Sequence, residues 1–165
     1  MKDGEVVVRS RRKSVMLDDI DMMILKRLAV HGKEGVRELA RNLGKSPSTI
    51  AFRIKRLERE GLIKGYTTMI DYRKLGYQIN AITLLQVDGA HIEELEEMLA
   101  KEPNVKAVYD ITGEYDIAII TSFKEIEELD KFIKRVIKIP YVKRSMTSIA
   151  FRIVKETPHV EEFLR

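Results

Sequence analysis

A chain of 165 residues without cysteine can form no disulfide, no thiolate metal site and no cysteine nucleophile, and it suits a reducing, cytoplasmic setting. Its net charge of +4 is unevenly placed: residues 1–70 hold 16 Lys and Arg against 9 Asp and Glu, residues 71–165 hold 14 against 17. No apolar run approaches the roughly 18 residues of a spanning helix, and MKDGEVVVRSRRKSV lacks the apolar core and cleavage site of a secretory signal, so neither membrane nor export is expected.

The basic first half reads as a module that meets a polyanion, although unevenly solvated faces would give the same charge balance. Residues 1–16 form a basic arm. In it Val6–Val8 has strand character, and RSRRK places four cations in five residues. Such an arm suits phosphates or a minor groove, and equally a solvated tail.

Residues 17–70 are expected to form a winged helix-turn-helix domain. In LDDIDMMILKRLAVHGK, Asp18 is placed as N-cap, Asp19 and Asp21 favour the positive helix start, and Ile20, Ile24, Leu25 and Leu28 recur at helical spacing. EGVRELARNLG repeats the pattern with Val36, Leu39, Ala40 and Leu43, closed by Gly44. A third helix opens with Ser46 as N-cap and Pro47 at its first position, and stops at Gly61. Ile50, Ile54 and Leu57 form its apolar stripe. The short LGKS connection makes the second and third helices cross steeply, as in a helix-turn-helix.

From Ser48 to Arg56 there is no acid, whereas a solvated face usually mixes signs. The expected DNA-contact set is therefore Lys45, Ser46, Ser48, Thr49, Phe52, Arg53, Lys55, Arg56 and Arg59, with Lys64 on a short wing in LIKGYTTMIDY. Phe52 can touch a thymine methyl or pack on a neighbour. The competing reading is a three-helix bundle with a charged exterior.

Residues 71–78 read as a linker, residues 79–156 as a second domain and residues 157–165 as a tail. The second domain runs strand (INAITLLQV), helix (HIEELEEMLAKE), strand (VKAVYDIT), strand (YDIAIITS), helix (EIEELDKFIKRVIK), strand (VKRSMTSIAFRIV). It contains a repeat: Ile92-Glu93-Glu94-Leu95 recurs as Ile126-Glu127-Glu128-Leu129, and Pro103-Asn104-Val105-Lys106 as Pro140-Tyr141-Val142-Lys143. Two β-α-β halves predict a ferredoxin-like βαββαβ sandwich, so the fold class is α+β. Both helices then cover one sheet face. The other, rich in Ile, Val and Leu, predicts a sheet-to-sheet homodimer that presents two recognition helices to two half-sites.

LDDIDMMILKRLAVHGKEGVRELARNLGKSPSTIAFRIKRLEREGLIKGY, followed by a β-α-β-β-α-β module containing ITGEYDIAI, resembles the Lrp/AsnC (leucine-responsive, feast/famine) transcription regulators from about Leu17 to Val154. The resemblance implies an N-terminal helix-turn-helix for double-stranded DNA, a C-terminal effector-sensing and assembly domain, dimers that build octamers, and an amino acid as effector. It places Gly113, Glu114, Tyr115 and Asp116 in an effector loop, with Thr147 and Ser148 facing the same pocket from another subunit. Asp116 would take an ammonium and loop amides a carboxylate. A plain hairpin turn, with Gly at positive φ and Asp satisfying the turn, accounts for the same residues.

No catalytic residue, metal site or cofactor is expected. His31, His91 and His159 lie in separate segments without metal-ligand spacing, and no phosphate-cradling Gly-rich loop or nucleophile elbow occurs. The remaining alternative is a metabolite-sensing assembly protein whose helical module contacts another protein rather than DNA.

Overall fold

The computed structural model describes residues 6–9 and 14–157; residues 1–5, the cations Arg11, Arg12 and Lys13 of the basic arm, and the tail from 158 lie outside them. The chain divides into two compact units, the first holding residues up to Met69 together with Glu156 and Thr157, the second spanning Ile70–Lys155.

The first unit opens with an antiparallel hairpin of β1 (Val6–Arg9) and β2 (Ser14–Leu17). Three helices follow: α1 (Asp19–Val30), α2 (Val36–Asn42) and α3 (Pro47–Arg59). One apolar stripe from each helix, together with Leu17, closes a core of Leu17, Ile24, Leu39, Ala40, Ile50, Ile54 and Leu57. Removing a large apolar side chain of this kind from water is worth about 1.5–3 kcal/mol. Gly44 takes φ 62° in the turn between α2 and α3, a backbone state that side chains resist, and the next amide (Lys45) bonds back to the Ala40 carbonyl at 2.9 Å. The end of α1 is tied to the start of α2 by Arg27, whose Nε and Nη2 donate to the Glu34 carboxylate at 2.8 and 2.7 Å. Between α3 and the second unit, residues 62–69 contain no strand.

The second unit contains β3 (Ile79–Val87), a short 3-10 turn, α4 (Ile92–Leu99), β4 (Val105–Asp110), β5 (Ile117–Phe123), α5 (Ile126–Val136) and β6 (Val142–Ile149). The sheet is antiparallel with order β4-β5-β3-β6, the ferredoxin-like arrangement. The repeat seen in the sequence marks equivalent positions: its Ile-Glu-Glu-Leu copies open α4 and α5, and both leucines, Leu95 and Leu129, are buried.

Alternation along the strands decides what each face carries. Ala81, Leu85 and Val87 of β3 and Ile117, Ile119 and Phe123 of β5 pack with Leu95 and Leu99 of α4 and Leu129, Phe132 and Val136 of α5. Both helices therefore lie on one side. Residues of the opposite parity, among them Ile82, Leu84, Ile120, Tyr109 and Met146, point the other way; Ile82, Tyr109 and Met146 are 45%, 55% and 46% exposed. Met98 of α4 is exposed, beside the buried Leu95 and Leu99.

Residues 71–78, expected as a linker, belong to the second unit; Gly76 and Tyr77 are half-buried and the others exposed. Tyr72 and Tyr77 meet edge to face at 6.1 Å, with Lys106 and Lys124 over their rings at 6.0 and 5.2 Å. Two aromatic rings with cationic partners hold more surface than a free connector would.

Candidate nucleic-acid interface and effector loop

Helix α3 begins as its sequence dictates. Ser46 Oγ accepts the Thr49 amide at 3.1 Å, and lies 2.9 and 2.8 Å from the hydroxyls of Ser48 and Thr49. No acid occupies the first turn. With Ile50, Ile54 and Leu57 buried, the opposite arc presents Ser48, Phe52, Lys55 and Arg59, all exposed, as are Lys45, Ser46, Thr49 and Lys64 near the helix ends. Phe52 is 66% exposed.

Arg53 and Arg56 do not belong to that arc as expected; the structure turns both toward the start of α1. Arg53 Nη1 donates to both oxygens of Asp18 at 2.7 Å and to Asp21 Oδ1 at 3.0 Å, while Arg56 Nη2 donates to Asp21 Oδ2. The two acids also cap α1 reciprocally: Asp18 Oδ1 accepts the Asp21 amide at 3.0 Å and Asp21 Oδ2 accepts the Asp18 amide at 3.1 Å. The Asp21 side chain is 1% exposed, Arg53 19% and Arg56 30%. The physical reason is burial. An Asp carboxylate sealed at the helix junction must be paired, and Arg53 and Arg56 reach it.

A signal for this pairing exists in the sequence. Arg53 is three residues from Ile50 and four from Leu57, which puts it about 60° from the buried stripe rather than opposite it. Asp18 and Asp21 share the three-residue spacing of Arg53 and Arg56. Burial pushes the Asp18 carboxyl up, but the hydrogen bonds from Arg53 and the Asp21 amide, with the Arg53 charge, outweigh it and hold the group below its ordinary 3.8. The Asp18 hydrogen bond in turn raises the Arg53 guanidinium.

In the second unit, Gly113 has φ 121° in the β4–β5 connection, where the Ile111 amide bonds the Asp116 carbonyl at 2.8 Å. Asp116 Oδ2 accepts the Val87 amide at 2.7 Å, at the point where the β3–β6 register slips between Gln86 and Val87. That carboxylate oxygen is therefore engaged in joining the loop to β3. Tyr115 is buried, with the Arg144 guanidinium 5.6 Å from its ring centre. Arg144 Nη1 also donates to Glu114 Oε1 at 2.6 Å, and this pair is exposed. Arg144 was not expected at the loop; only the strand register brings it there.

Thr147 and Ser148 cannot face one pocket together. Thr147 pairs with Thr83, hydroxyl to hydroxyl at 3.0 Å, on the helix-covered face, while Ser148 pairs with Ile82 on the open face. Adjacent strand residues point to opposite sides.

Among the described residues no group of His, Asp and Glu is arranged to hold a metal ion, and no helix is long and apolar enough to cross a membrane.

Comparison with known proteins matches residues 17–64 to a winged helix-turn-helix DNA-binding family and residues 80–160 to the Lrp/AsnC ligand binding domain. An uncharacterized HTH-type transcriptional regulator of Pyrococcus furiosus is 39% identical over 145 residues, covering 88% of this chain and 98% of that protein. The structure of LrpC from Bacillus subtilis superposes with a TM-score of 0.76 at 28% identity, covering 86% of this chain and 99% of that one. A transcriptional regulator of Neisseria meningitidis, solved as its L-Met complex, shares the fold with a TM-score of 0.80 at 22% identity over 87% of this chain and 96% of that one.

The Asp18–Arg53 pair sets an acid limit on the first unit. A carboxyl lowered in the folded state stabilises above its ordinary 3.8, and that contribution fades as pH falls through 3.8 toward the folded value. Thermal melts of Asp18→Asn should lose less stability than wild type between about pH 4 and pH 2; parallel curves would separate Asp18 from the pairing.

Proposed function

The chain belongs to the Lrp/AsnC family of transcriptional regulators, ligand-responsive proteins that bind DNA, and on that premise we propose which of its surfaces meet DNA, effector and partner subunit. The observation that carries the proposal is the acid-free exposed arc of α3. Ser48, Thr49 and Phe52 enter a major groove and read base edges, while Lys45, Ser46, Lys55, Arg59 and Lys64 meet phosphates. Arg53 and Arg56 are left out of this set because they are held by Asp18 and Asp21.

The effector is an amino acid held at the loop of Gly113, Glu114, Tyr115 and Asp116. Two facts support this: the relative solved with L-Met, and the exposed Arg144–Glu114 pair. An amino acid carries one charge complementary to each member, so its carboxylate can take Arg144 and its ammonium Glu114. Asp116 serves by shaping the loop through Val87. The apolar side of the sheet that no helix of this unit covers supports a homodimer, with Ile82, Leu84, Tyr109, Ile120 and Met146 at the contact, and dimers assemble further. In this role the protein needs no catalytic step and no cofactor, and it works in the cytoplasm with the DNA.

Three measurements test it. Selection of bound sequences from random duplex DNA supplies the operator. On it, Lys55→Ala and Arg59→Ala should each flatten the dependence of log K on log salt by about 0.9; slopes equal to wild type would remove α3 from the backbone. An amino-acid mixture should change operator binding by wild type, and Arg144→Gln should lose that response while binding DNA normally without amino acids. A full response in Arg144→Gln would clear the pair of its role. Light scattering should find wild type dimeric or larger and Ile82→Asp monomeric; an Ile82→Asp protein of unchanged mass would place the subunit contact elsewhere.

A further inference from the structure

We propose that Asp21 is a specificity-determining positioning residue: its buried carboxylate withholds Arg56 from the DNA backbone and so limits non-specific binding. The inference rests on α3 as the DNA-facing helix.

The two arginines are not held alike. Arg53 has two acids, with three contacts to Asp18 and Asp21 between 2.7 and 3.0 Å. Among the described residues Arg56 has Asp21 as its acidic partner, and its buried Nε finds no hydrogen-bond partner. It is also the more exposed of the two, at 30% against 19%. Along the helix, Arg56 stands four residues after Phe52 and three before Arg59, both exposed. Arg56 therefore sits at the border between the buried stripe and the groove-facing arc, and Asp21 decides on which side its charge is used.

If Asp21 is neutralised, Arg53 keeps Asp18, but Arg56 loses that acidic partner. A guanidinium with an orphaned N–H gains by turning outward to water or phosphate. One more phosphate contact strengthens binding to every duplex alike, because phosphates carry no sequence information. The ratio of operator to generic affinity then falls although no base contact has changed.

The test uses the full chain and a mixed-sequence duplex of roughly 25 base pairs, titrated by fluorescence anisotropy between about 50 and 200 mM salt. Asp21→Asn should steepen the slope of log K against log salt by about 0.9, equivalent to an extra ~3.5-fold change in affinity across that range. Asp21→Asn/Arg56→Gln should return to the wild-type slope, an outcome that general loosening of the fold would not produce. Arg56→Gln alone, which leaves the buried acid paired with Arg53, should match the wild-type slope. A slope unchanged in folded Asp21→Asn, or one flattened by about 0.9 in Arg56→Gln, would overturn the inference. Should Asp21→Asn fail to fold, the Arg56→Gln slope still decides. Absence of any wild-type binding would overturn both this inference and the DNA-facing role of α3.

Discussion

A single buried carboxylate joins the two ends of the DNA-binding unit. Asp21 lies at 1% exposure, bonded to the Asp18 amide on one side and to Arg53 and Arg56 on the other. The apolar core beneath it, from Leu17 and Ile24 to Ile50 and Leu57, supplies most of the cohesion but is non-directional. Packing of that kind permits a helix to turn or slide by small amounts. Hydrogen bonds to a fixed carboxylate do not. The cap of α1 and the azimuth of α3 are thus one device, and the face that α3 turns outward depends on it.

This constraint redistributes charge. Counted by sequence, α3 carries Arg53, Lys55, Arg56 and Arg59; counted by partner, Arg53 and Arg56 neutralise Asp18 and Asp21 at the start of α1, and exposed Arg59 lies 3.6 Å from the adjacent Glu60. What remains exposed is a mixed surface, with Lys55 and Arg59 as cations, Phe52 as an apolar contact and the linked hydroxyls of Ser46, Ser48 and Thr49 at the positive end of the helix. A surface with fewer free cations and more short polar groups is better suited to distinguishing sequences than to gripping any duplex.

The second unit is governed by a different constraint, the pleat. Each strand must divide its residues between a helix-covered face and an uncovered one. Polar groups follow the same rule: Thr83 and Thr147 satisfy each other within the covered face, and Ser122 and Asn80 bond at 2.6 Å on the other. Where the β3–β6 register slips, Asp116 supplies the missing acceptor for Val87, so the loop and the irregularity are parts of one feature.

What the sequence determined by itself were the features that follow from spacing and local chemistry. Helical periodicity, the Asp18 and Ser46 caps, Gly44 in its turn and the β-α-β-β-α-β order all depend on residues within a few positions of each other, and the internal repeat is read by matching two such short stretches. Only the tertiary structure decided which polar groups are used up. Arg53 and Arg56 look like DNA ligands until Asp18 and Asp21, more than thirty residues away, are brought against them. Arg144 looks unremarked until strand pairing sets it beside Glu114 and Tyr115, and Thr147 and Ser148 look like neighbours in one pocket until the pleat sends them to opposite faces. The reason is that a charge or hydroxyl binds whatever lies within hydrogen-bond reach, and reach across the fold is set by packing and register, which composition and periodicity do not encode residue by residue.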